Sequence, residues 1–173
     1  MMPSLLLRRP FLALPAAALC LALLATPAPA VTLEVGERAP GFTLRDLEGN
    51  PFTLEQFRGK TVVIAFWSTW CSRCREELAF LRDTFGQRSD VAVLLVNQDS
   101  ERKVPAGKLR ALTQEMGIPF PVLLDEGLSL WQTYGINALP TSVVVGGDGL
   151  VKLVEPNFYW ASPERLITAT HGG

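Results

Sequence analysis

The stretch Thr61–Trp67, TVVIAFW, constrains this chain more than any other segment. It is a β-branched, apolar and aromatic run of strand length without alternation, which predicts a strand covered on both faces and therefore central in a sheet. Such a strand needs helices above and below it. Val91–Val96 has the same character, and Pro121–Leu124 and Thr141–Val145 are shorter versions. Helices are predicted between them over Ser72–Phe85, Ala106–Met116 and Leu128–Tyr134, with Gly86 and Gly117 at the C-terminal stops. Gly146-Gly147-Asp148-Gly149 then turns the chain into a strand over Leu150–Val154. Ser162-Pro163-Glu164 opens a last helix with Ser162 as N-cap and Pro163 in the first turn. After a short N-terminal hairpin region the order is β, α, β, α, β, α, β, β, α. The expected class is α/β: a central mixed sheet flanked by helices on both faces, with an antiparallel hairpin at its edge.

Sixteen Lys and Arg against seventeen Asp and Glu in 173 residues give a formal charge of −1, so nothing electrostatic favours nucleic acid as a partner, and that class is excluded. A composition 48% hydrophobic and 19% charged fits one ordinary globular domain. The first thirty residues read differently. Arg8 and Arg9 precede an apolar run from Phe11 to Ala25, and Ala28-Pro29-Ala30 places small residues where a signal peptidase reads. This is the pattern of an export signal over residues 1–30, cleaved after Ala30, ahead of a domain over 31–173. The run contains Pro15 and falls short of the roughly 20 residues a spanning helix needs, so membrane attachment follows only if the segment is retained. The expected location is periplasmic or otherwise exported. Cleavage would remove Cys20 and leave Cys71 and Cys74 in an oxidising compartment, where a disulfide is the resting state.

Those two cysteines carry the chemistry. Cys71-Ser72-Arg73-Cys74 follows the central strand and its short tail, at the start of the first long helix. Cysteines three apart in a first helical turn share one side, close enough to be bridged. The first sulfur faces unpaired backbone N–H groups and the positive end of the helix dipole, which favours the attacking thiolate. Cys74, Leu78, Leu81 and Phe85 form the apolar stripe of the helix, so Cys74 is expected buried and Cys71 exposed. In exchange, Cys71 would form a mixed disulfide with a partner and Cys74 would resolve it. A structural disulfide closing so short a loop would constrain the unfolded chain little. A zinc site would need four ligands, and only the pair and His171 remain after signal removal, so neither metal nor cofactor is expected.

The run from Trp67 through Trp70, Cys71, Cys74 and Glu77 resembles the active site of the thioredoxin superfamily, specifically its TlpA/ResA-like exported thiol-disulfide oxidoreductases. The similarity extends from Ala39-Pro40-Gly41-Phe42, through Asp46 to Gly49 and Phe57 to Lys60, to Tyr134-Gly135-Ile136 and Leu139-Pro140-Thr141, covering most of residues 39–155. The resemblance implies a thioredoxin-like fold with an N-terminal hairpin extension and an inserted segment over about 97–120. It implies that Pro140 is cis opposite the cysteines, and that Leu139, Pro140, Thr141 and Trp70 form the surface that receives a client. An ordinary trans turn before a strand is the other reading of Pro140.

Two departures from the family pattern bear on the redox couple. Arg73 stands where the family most often has Pro; with Ser72 it is the candidate tuning pair, a cation there favouring the Cys71 thiolate. Ala65 stands where simple thioredoxins carry a buried Asp. Glu77, three residues after Cys74, matches the acidic residue of the ResA-like motif and is a candidate for proton transfer. Its other reading is a solvated first-turn glutamate favoured by the dipole. Phe158-Tyr159-Trp160 is either a partner patch or core packing.

The reading that follows is an exported reductase of selected envelope proteins, as in cytochrome c maturation or copper-centre assembly, acting on client disulfides and drawing electrons from a membrane donor. Two other classes stay open. A peroxiredoxin-like peroxidase shares Ser68-Thr69-Trp70-Cys71 as part of a Ser/Thr-x-x-Cys pattern, but Ile64 occupies the place of that motif's Pro. A thioredoxin-like binding module with a vestigial disulfide is the second.

Overall fold

The computed structural model describes residues 33–99 and 103–171; the expected export signal lies outside the described residues. The strands are β1 Thr43–Asp46, β2 Pro51–Thr53, β3 Thr61–Trp67, β4 Val91–Asn97, β5 Val122–Leu124, β6 Thr141–Val145 and β7 Val151–Pro156. The α-helices are α1 Ser72–Phe85, α2 Ala106–Glu115, α3 Ser129–Thr133 and α4 Ser162–His171. Together the strands make one seven-stranded sheet in the order β2-β1-β5-β4-β3-β6-β7. The β3–β4 and β4–β5 pairs are parallel, and the others are antiparallel. The N-terminal hairpin thus extends one edge and β7 closes the other. This is the expected mixed, thioredoxin-like α/β sheet.

All seven residues of β3 are buried, which accounts for the absence of alternation in its sequence. Val63, Ala65 and Trp67 face the layer holding Leu78, Leu81 and Phe85 of α1, Leu109 of α2 and Leu166 of α4. Val62, Ile64 and Phe66 face the other layer, with Leu130 of α3, Tyr134 and the N-terminal residues Leu33, Ala39 and Leu44. Burial of that much apolar side chain on both faces fixes the strand's register, because a one-residue slip would exchange the two layers.

Three boundaries differ from the sequence reading in ways that matter. β7 runs on through Glu155 and Pro156, because its ladder continues as Ser142↔Glu155 and Thr141↔Pro156. Pro156 is tolerated at the end of an edge strand, where a missing N–H breaks no interior ladder. Ser162 opens α4, but its hydroxyl does not cap that helix. It accepts from Tyr159 N–H and donates to Glu155 Oε1, at 2.8 and 2.7 Å. α3 is shorter than expected and is capped by Asp125, whose carboxylate accepts from the N–H groups of Leu130 and Trp131, both at 2.9 Å.

Candidate active site

Cys71 and Cys74 form a disulfide with a Cα–Cα separation of 5.3 Å. Cys71 is the N-cap of α1 in an extended conformation, and its sulfur accepts the Cys74 N–H at 3.2 Å. Helix start and sulfur chemistry therefore share one residue. The Cys74 N–H, one of the donors a helix start leaves in need of a cap, points at the atom that must carry negative charge when the bond opens.

The expectation that Cys71 is exposed needs correction. It keeps 8% of its surface and Cys74 none. The extended N-cap backbone turns the Cys71 side chain back along its own helix to reach Cys74, which draws the sulfur into the core layer under β3. The asymmetry between the sulfurs survives in a narrower form, with the remaining access on the Cys71 side.

The strand tail before Cys71 is held from β4. Thr69 donates its N–H and its hydroxyl to the two oxygens of Asp99, at 2.7 and 3.1 Å, and Asn97 Nδ2 donates to Asp99 at 3.0 Å. With that tail fixed, Trp70 projects into solvent, 74% exposed, while Trp67 packs in the core. Ser72, Arg73, Arg75 and Glu76 are exposed. Arg73 donates to the Asn157 carbonyl at 3.2 Å and Arg75 to the Thr69 carbonyl at 3.3 Å, so both guanidinium groups are tied to backbone bordering the disulfide.

The Leu139–Pro140 bond is cis. Pro140 is buried, and its carbonyl accepts from Asn157 N–H at 2.6 Å, which joins the loop before β6 to the loop after β7. Leu139 packs on the core layer that contains both cysteines. Thr141 is buried and donates to the Ala138 carbonyl at 2.8 Å. The three late aromatics divide. Phe158 packs on Phe80 with ring centroids 5.6 Å apart, Tyr159 is partly exposed, and Trp160 is 91% exposed.

Behind the disulfide the surroundings change from apolar to acidic. Glu77 is fully buried on α1, not solvated, and Ser142 Oγ donates to its Oε1 at 3.0 Å. Its Oε2 has no partner. Burial pushes the Glu77 carboxyl up to about 8, against the lowering effect of the Ser142 hydrogen bond, and the negative charge of Glu155 pushes it further. Ala65 is the register partner of Ser142 on β6, so the carboxylate missing from β3 is supplied from α1 across that pair. Ser142, Glu155 and Asp99 escaped the sequence reading. The one available signal was a polar residue, Ser142, inside an otherwise apolar strand.

Among the described residues, no group of three or more His, Cys, Asp or Glu is placed to hold a metal ion, and no helix is long and apolar enough to cross a membrane.

Residues 35–154 match the AhpC/TSA family. The thiol-disulfide oxidoreductase ResA of Bacillus thuringiensis strain Al Hakam is 32% identical over 134 residues, which are 78% of this chain and 75% of that protein. The chain is a ResA-like member of the AhpC/TSA family in the thioredoxin superfamily. ResA of Geobacillus thermodenitrificans is 33% identical over 122 residues, covering 69% of this chain and 68% of its own. Among solved structures, a candidate thiol:disulfide interchange protein DsbE from Chlorobium tepidum superposes with a TM-score of 0.71 over 80% of this chain and 99% of that one. At 24% identity that likeness shows the fold. With its bonded Cys71–Cys74 pair, this ResA-like chain is a protein-disulfide oxidoreductase.

Proposed function

We propose that this oxidoreductase is exported and reduces disulfides of selected envelope proteins through the Cys71/Cys74 couple. The observation that carries the reading is the disulfide at the head of α1, with residual access on Cys71 and a buried carboxyl behind Cys74. In the reduced protein, the Cys71 thiolate attacks one sulfur of a client disulfide, and the client's other sulfur leaves as a thiolate that takes a proton from water. Cys74 then gives its proton to the Glu77 carboxylate and attacks the Cys71 sulfur of the mixed disulfide, breaking the bond from Cys71 to the client, whose sulfur leaves as a thiolate and takes a proton from water. The client departs as a dithiol, two electrons richer, and the Cys71–Cys74 bond is restored. Reduction by a dithiol of a membrane-borne donor runs the steps backwards: Cys74 leaves as a thiolate and takes the proton from Glu77.

Burial explains why a proton partner is needed. A thiolate and a carboxylate sealed from water side by side are costly, so one proton held between Cys74 and Glu77 limits the reduced site to a single buried negative charge. The client lies against exposed Trp70 and half-buried Leu139; the side chains of Pro140 and Thr141, expected on that surface, are buried and shape the loop from beneath. Ser72 and Arg73 tune the couple from the exposed side. Cytochrome c maturation and copper-centre assembly both require reduced cysteine pairs outside the cytoplasm and are the client classes we favour. The Arg8-Arg9 and Phe11–Ala25 pattern, with Ala28-Pro29-Ala30, supports export with cleavage after Ala30.

The test is partner trapping in the envelope. A Cys74→Ser variant should accumulate mixed disulfides with its clients and its donor, and Cys71→Ser should accumulate none. Equal turnover by wild type and Cys71→Ser would sink the assignment.

A further inference from the structure

Glu77 does not stand alone behind the disulfide. Glu155 of β7 is also fully buried, on the far side of Ser142, its register partner across the β6–β7 ladder. The two carboxyl groups have different surroundings. Glu155 Oε1 accepts from Ser162 Oγ at 2.7 Å, and Glu155 Oε2 is ion-paired with Arg165 Nε at 2.6 Å. Glu77 has one donor, Ser142; the Oε2 atoms of both carboxyls lack an aligned hydrogen bond, but only that of Glu155 has a cation against it. The charged and polar groups facing the pair are Ser142 from β6, Ser162 and Arg165 from α4, and the cysteines that precede Glu77 on α1. Two buried carboxyls that interact cannot both ionise cheaply, and the one with the cation keeps the charge.

We propose that Glu155 is a positioning residue for proton transfer: kept ionised by Arg165 and Ser162, it makes Glu77 the carboxyl that carries the proton exchanged with Cys74. The inference rests on the shuttle between Cys74 and Glu77 described above. Arg165 gives the arrangement a link to the outside, because its side chain is half exposed while its Nε reaches a sealed carboxylate. α4 thereby supplies the cation that bears on the carboxyl pair behind the head of α1. Had Glu155 been neutral, or replaced by an apolar residue as its edge-strand position would allow, Glu77 would ionise more readily and the buried proton would be lost at lower pH.

Infrared spectroscopy of the oxidised protein tests this without requiring turnover. The wild type should show a protonated-carboxyl stretching band that titrates and is absent in Glu77→Gln. In Glu155→Gln its midpoint should fall by about half a unit to one unit, since a nearby like charge has been removed. Arg165→Gln should move the upper midpoint of the coupled pair the other way, and Glu155→Asp should restore the wild-type value. An unshifted midpoint in Glu155→Gln overturns the proposal. If that variant does not fold, as judged by near-ultraviolet circular dichroism, Arg165→Gln decides, and the absence of an upward shift overturns it equally. Reduction of insulin disulfides is measured in parallel. A wild type unable to reduce insulin would bring down the exchange mechanism and leave the infrared result standing, so the two failures are distinguishable.

Discussion

The two sides of the Cys71–Cys74 disulfide are built from opposite materials. In front lie exposed side chains: Trp70 beside Cys71, and Arg73 and Arg75, whose guanidinium groups donate to the backbone carbonyls of residues 157 and 69. Behind lie Glu77, Ser142 and Glu155, all sealed from water and held by side-chain hydrogen bonds across α1, β6, β7 and α4. The front can change without disturbing the fold, because it buries little. The rear cannot, because each buried polar group there depends on a named partner. On the proposed mechanism, recognition of a client and handling of the proton fall to different elements, with Cys74 as the boundary.

The comparison breaks most sharply at the sulfurs. Cys71→Ser should reduce disulfide exchange to background, measured by insulin reduction, since the other described cysteine, Cys74, is fully buried. The next effect belongs to the rear. Glu77→Gln should slow resolution of the mixed disulfide by about a hundredfold, the usual scale for a lost general acid or base, and flatten the pH dependence of that step around 8. A variant that resolves at the wild-type rate and with the wild-type pH profile would remove Glu77 from the chemistry.

The same carboxyl makes a stability prediction with a definite sign. Its folded pKa, about 8, lies above the reference 4.5, so between these values the folded state holds a proton that the unfolded state has released. Stability is then greatest below 4.5, falls by about 1 kcal/mol per pH unit up to about 8, and is flat above. Urea unfolding of wild type and Glu77→Gln across this window should give converging curves at low pH and a steeper loss in wild type. Parallel curves would contradict the burial of an ionisable group there.

Much of this organisation is legible in the chain, and the limits have physical causes. β3 and α1 are unambiguous because one is buried on every side and the other repeats its apolar residues at helical spacing, which also places Cys74 inside. Glu77 is ambiguous, because a carboxylate in a first helical turn suits the dipole whether it faces water or the core. Glu155 is invisible for a different reason. Glu155-Pro156-Asn157 has the composition of a turn, and only pairing with Ser142 and Thr141 carries β7 through it. Asp99 likewise acquires its role through Thr69, thirty residues earlier in the chain, which no local pattern reports.

Two smaller effects sharpen the contrast. Asp99→Ala should cost about 1–2 kcal/mol in urea unfolding by freeing the Thr69 N–H and hydroxyl, and should lower exchange with every substrate alike. Trp160→Ala, at a side chain that buries almost nothing, should leave the unfolding midpoint unchanged while raising KM severalfold for protein clients and not for a small disulfide. A change in stability, or an equal change for both substrates, would place Trp160 outside the client surface.

Identification of the sulfur that meets the client tests the central claim most directly. Incubation of reduced Cys74→Ser protein with a disulfide-linked peptide, followed by mass spectrometry of the digest, should find the peptide on Cys71. No adduct, or an adduct formed equally well by a Cys71→Ser protein through Cys74, would contradict the account.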